Sequence, residues 1–153
     1  NMIGFTAKIT KTKIFIGIAI LLIPLLTFSA IYINRINKPE IVNLNGKTSA
    51  QRIAFLKQYG WEANKDNEDE KDTVIPAKFD NDYDAYNSIQ LSQGFDLSAY
   101  KGEKVKLYSI KINNYPKNSE YVYATILVKG DTIIGGDIHS TELNGFMHGF
   151  KLE

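Results

Sequence analysis

Cysteine is absent from this chain of 153 residues, and histidine and methionine occur only twice each, tryptophan once and proline four times. Without cysteine there are no disulfides, thiolate nucleophiles, iron–sulfur clusters or thiolate zinc sites, and no cysteine to carry a lipid anchor. A clustered basic face is missing as well. Residues 34–153 hold 15 bases against 17 acids, which argues against nucleic acid, whose phosphates are bound by displacing counterions with grouped cations. The glycines form no GxGxxG or GxxxxGK phosphate loop, and no serine sits in a GxSxG turn. No cofactor or metal is expected.

What the sequence does have is one long apolar run. Residues 14–33, IFIGIAILLIPLLTFSAIYI, carry no charge; twenty helical residues at about 1.5 Å each span about 30 Å, the thickness of a bilayer's hydrocarbon core. Lys8, Lys11 and Lys13 precede it, favouring an inside amino terminus and an outside carboxyl terminus. The competing reading is a cleaved signal peptide. Thr27-Phe28-Ser29 is a poor cleavage site and the apolar run continues to Ile33, so the retained single-pass anchor is preferred. The expected organisation is a cytoplasmic tail (1–13), a membrane anchor or signal segment (14–33), a linker (34–47) containing Pro39 and Gly46, and an exported α+β domain (48–153) at the cell membrane.

Within the domain, Thr48 and Gln51 make a capping box that opens a helix carrying Ile53, Leu56 and the stem of Lys57 on one side, and Gly60 stops it. Trp61, the single tryptophan, is read as a core anchor in a short strand at 61–63. Residues 64–72, NKDNEDEKD, resemble a calcium loop only superficially, lacking EF-hand spacing and the central glycine, and are expected to be a solvated loop. Residues 74–76 read as an edge strand, since Pro76 cannot donate to a ladder. Asp80 is an N-cap for a second helix that ends before Gly94. Three β-rich runs follow, at 105–113, 121–129 and 132–138, joined by turns at 114–118 and 129–131 into a meander. In the first, the apolar phase shifts between Leu107 and Tyr108, suggesting a bulge or strong twist. The second is apolar on both faces and so central. The tail 143–150 is expected to fold Phe146 and Phe150 over the sheet.

Two groups of residues invite a functional reading. On the second helix Tyr83, Tyr86, Asn87 and Gln90 fall at i, i+3, i+4 and i+7, placing two phenols and two amides on one face. They are read as a tentative groove for a sugar or peptide; the bland alternative is that the rings pack on the sheet while the amides serve backbone groups. Asp137 and His139 share a strand face, with His148 the other histidine, and could make an acid–base pair or metal site. No residue is assigned a catalytic role; the preferred reading is that Asp137 caps the hairpin end and His139 is an exposed surface residue.

Four segments, FLKQYGWE (55–62), VIPAKFD (74–80), YDAYNSIQLSQGFDLSAYKG (83–102) and IIGGDIHSTELNGFMHGF (133–150), resemble the bacterial domain of unknown function numbered 4830. The resemblance implies an amino-terminal membrane segment and a Gram-positive source. It implies no activity, so no catalytic residue carries over. The resulting expectation is two helices on an antiparallel sheet in two layers, serving as a non-enzymatic binding or interaction module of the cell envelope, with a wall polymer or protein as ligand. The alternative is a small envelope hydrolase using Asp137 and His139. A transmembrane sensor is weakened by a tail of about a dozen residues, too short for a signalling domain.

Overall fold

A computed structural model describes residues 42–116 and 120–152, and Ser29 in the amino-terminal segment. The expected tail, the membrane anchor apart from Ser29, and most of the linker lie outside the described residues. Among the described residues no helix is long and apolar enough to cross a membrane.

Local signals place the helices. Helix α1, Ser49–Gln58, begins with the capping box: Gln51 N–H donates to Thr48 Oγ1, and Thr48 N–H donates to Gln51 Oε1. Its inward face is Arg52, Phe55 and Leu56, whereas Lys57 is exposed and Ile53 half-buried. Helix α2, Asn81–Ser92, is capped by Asp80, whose Oδ1 accepts Tyr83 N–H at 2.8 Å. A 3-10 turn, Leu97–Tyr100, follows.

Among the described residues five antiparallel strands lie in chain order: β1 Ala63–Val74, β2 Lys104–Ile112, β3 Val122–Lys129, β4 Thr132–Ser140 and β5 Met147–His148. The expected solvated loop at 64–72 is instead most of β1. Its side chains are largely charged, so no apolar alternation announces a strand, yet Glu68, Glu70 and Asp72 pair in register with Ile110, Tyr108 and Lys106 of β2. Glu68 turns inward to a buried ion pair with Arg52, and Glu70 pairs with Lys106 at the surface. That contact is the main cause holding the Glu70 carboxyl below its ordinary range.

The two helices lie on opposite faces of the sheet, which therefore forms a middle layer where two layers were expected. Phe55 and Leu56 of α1, with Trp61 and Phe150, cover Tyr108, Ile110, Ile112, Ala124, Ile126 and Ile138. Tyr83 and Tyr86 of α2, with Leu97 and Ile75, cover Val105, Leu107, Leu127 and Ile134. This arrangement also explains the phase shift in β2. The β2–β3 register runs unbroken from Lys106 to Lys111, so there is no bulge; the buried side changes because α2 and the 3-10 turn cover one end and α1 the other. The sheet's register shifts lie elsewhere, in β1 between Ala63 and Glu68 and between β3 and β4 at Leu127/Val128.

Candidate functional site

The helix face expected to line a groove is closed by the molecule's own groups. Tyr83 packs its ring on Phe79, centroids 4.6 Å apart. The Tyr86 hydroxyl donates to Asp137 Oδ2 at 2.8 Å. Burial first, and then the neighbouring carboxylate, push the Tyr86 phenol far above its ordinary range, so it stays protonated as the donor. Asn87 accepts Leu97 N–H through Oδ1 at 2.9 Å and donates to Asp96 Oδ1, tying α2 to the 3-10 turn. Gln90, fully buried, accepts Gly136 N–H at 2.8 Å. The amides thus satisfy backbone groups that would otherwise be buried without partners, while Nε2 of Gln90 is itself buried without a hydrogen-bond partner among the described residues.

Behind Tyr86 lies the Asp137–His139 pair. Asp137 is 2% exposed, and its Oδ1 lies 2.7 Å from Nδ1 of His139. His148 does not join them. It pairs with Ile138 across β4 and β5, on the opposite face, with Nδ1 2.6 Å from the Gly149 carbonyl and Nε2 3.2 Å from the Tyr115 hydroxyl. Among the described residues no group of three His, Asp or Glu side chains is placed to hold a metal ion.

An open cleft lies at the sheet edge beside β5. About 650 Å³ in volume, it is lined by Tyr59, Tyr115 and His148, by Ile89 and Ser92 of α2 with its cap residue Gln93, and by Met147, Gly149, Lys151 and Leu152. Its aromatic wall is a stack of rings: Tyr115 stacks on Trp61 and on Phe146, at 5.7 and 4.6 Å, and Trp61 donates to the Phe150 carbonyl at 2.6 Å. Stacked rings suit a ligand with apolar surface, while the polar lining groups of Ser92, Gln93 and His148 each already hold an internal hydrogen-bond partner. Tyr83, Tyr86, Asn87 and Gln90 do not line it.

Gln93 shapes this cleft. Its Nε2 donates to the Gly136 carbonyl at 3.0 Å and its Oε1 accepts Phe150 N–H at 2.6 Å. The β4–β5 register would pair Gly136 with Phe150 directly, so the carboxamide stands between them like an inserted peptide group. Gly136 has φ 152°, and a Cβ there would lie 2.0 Å from the Thr125 carbonyl oxygen and 2.5 Å from the Phe150 ring. Only glycine lets these parts meet. The double glycine signals this close approach in the sequence; nothing there marks Gln93 as its partner.

No curated protein and no solved structure matches the chain. The family model described as Domain of unknown function (DUF4830) matches residues 55–138, from α1 into β4. With more than half of its length matched, and with helices and sheet in the order that the resembling segments implied, the chain belongs to the DUF4830 family.

Proposed function

We propose that this protein is a non-enzymatic binding module of the cell envelope, tethered by residues 14–33 with its domain outside the membrane, and that the cleft beside β5 receives its ligand. The observation that carries the binding role is the cleft, which sets a stacked aromatic wall beside the half-exposed Met147 and Leu152. The tether rests on the uncharged apolar run and the lysines before it. The test is calorimetric titration of the full chain, in detergent micelles, with chito-oligosaccharides and with short linear peptides. Saturable binding to one class, weakened at least about tenfold by Tyr115→Ala, supports the reading. Absence of binding to both, in a chain whose Trp61 emission reports a folded core, contradicts it.

A hydrolase reading is supported by one observation, the Tyr86–Asp137–His139 chain. A buried carboxylate that accepts Nδ1–H of an imidazole leaves Nε2 to act as a general base. Hydrolysis of a chromogenic ester or glycoside, abolished by His139→Gln with the fold intact, would favour that reading over the binding module.

A further inference from the structure

Every sheet edge must be paired, covered or guarded, because its free N–H and C=O groups will otherwise pair with another chain. The edge at β1 is guarded by charge: its twelve residues include five acids and two lysines. The outer edge of β4 is closed in three ways. Near its start, Ile133 N–H donates to the Leu44 carbonyl, Gly46 N–H donates to the Asp131 carbonyl, and Asn45 bridges Thr132. In its middle, Gln90 and Gln93 take both backbone groups of Gly136. At its end, β5 pairs with it.

β5 itself carries no acid or lysine, and Lys151 is the charged residue lining the adjoining cleft. Ser140 N–H donates to the Phe146 carbonyl, so Ser140 and Phe146 form a hydrogen-bonded pair. By alternation His139 and Met147 form a non-hydrogen-bonded pair, and the N–H and C=O of Met147 point away from β4. No partner among the described residues takes them. These two groups lie beside the cleft, whose wall includes Met147, His148 and Gly149.

We infer that the ligand of this cleft is an extended peptide, which adds to β5 as a sixth strand and places an apolar or aromatic side chain against Tyr59, Tyr115 and His148. This deepens the binding reading above and rests on it. A peptide backbone supplies an acceptor for the N–H and a donor for the C=O of Met147, at the strand repeat; the hydroxyl and acetamido groups of a sugar are not arrayed as a strand. The short edge limits main-chain pairing to a few bonds, so the side-chain pocket supplies the specificity.

The test selects a displayed library of linear octapeptides on the full chain in detergent micelles, with chito-oligosaccharides as a second probe. For a selected peptide, the inference expects slowed hydrogen exchange at the Met147 amide. It also expects that N-methylation of alternate peptide amides abolishes binding in one phase and spares it in the other. Met147→Pro removes the outward N–H without touching the β4 ladder, and should weaken binding by about tenfold. Peptides that bind without protecting Met147, and that tolerate N-methylation in both phases, overturn strand addition while leaving the cleft as a binding site. Chito-oligosaccharide binding in the cleft without any peptide binding does the same. Failure of both probes to move the Tyr115 and His148 resonances overturns the cleft reading itself.

Discussion

Replacing Arg52 with alanine should be among the most damaging single changes outside the apolar clusters. Arg52 is buried in α1, its Nε paired with the equally buried Glu68 of β1. Its NH1 group donates to the carbonyls of Gly46 at 2.6 Å and Lys47 at 3.1 Å, and its guanidinium lies 3.5 Å from the centre of the Tyr108 ring. Truncation leaves the Glu68 carboxylate buried and uncompensated and frees two carbonyls. Breaking such a pair costs about 3–5 kcal/mol, a large part of the roughly 5–15 kcal/mol that holds a domain together. At about 4 °C or more per kcal/mol for a domain of this size, the melting temperature should fall by more than about 12 °C. Replacing both members, Arg52→Met with Glu68→Leu, removes the stranded charge and should recover most of that loss, since apolar replacements of buried pairs are often close to neutral. Urea unfolding followed by Trp61 fluorescence measures both. A single substitution costing less than about 1 kcal/mol would refute the reasoning, because it would mean that Glu68 is solvated without Arg52. A double substitution no better than the single would equally refute it.

Tyr86→Phe should cost about 1.5–3 kcal/mol, the range for a hydrogen bond to a charged group. It should also change alkaline behaviour. A phenol whose folded pKa is raised keeps a proton that the unfolded chain releases, so its contribution is full below the ordinary tyrosine range near 10 and declines as pH climbs past it. The variant should lose Tyr86's share of that decline in pH-dependent melts, while Tyr83, raised by burial, keeps its own. Gly136→Ala should destabilise by more than about 2 kcal/mol, since its Cβ would meet a backbone oxygen at 2.0 Å, and should loosen Phe150, measured by urea unfolding. The absence of native cysteine makes sidedness directly readable. In intact cells a membrane-impermeant maleimide should label Leu143→Cys, at a position 96% exposed, and should reach Lys8→Cys only after permeabilisation.

The helices were legible because their signals are local: Thr48 with Gln51 and Asp80 sit within a turn of the groups they cap. β3 was legible because burial on both faces leaves an apolar run, and the turn after Lys129 fixed its return. β1 was not, because its order comes from Arg52 and Lys106, distant in sequence from the charges they hold. The phase shift in β2 was real but ambiguous, since an apolar side that changes along a strand reads alike for a bulge and for a sheet covered diagonally on both faces. At the candidate site, polar residues on α2 were visible as unusual, but sequence cannot separate amides that face a ligand from amides that face their own backbone. Asn87, Gln90 and Gln93 all do the latter. The two-residue β5, which sets the cleft, is too short to have any periodicity.

The central claim is that the cleft beside β5 receives a ligand, and one of the chain's two methionines stands in its wall. The most direct measurement is therefore the methyl spectrum of the full chain labelled with carbon-13 methyl methionine, titrated in turn with selected octapeptides and chito-oligosaccharides. The account predicts a saturable shift of the Met147 methyl signal, with that of Met2 unmoved, and its loss in Tyr115→Ala. A Met147 signal unmoved by both ligand classes, in a protein whose melting is unchanged, would contradict it.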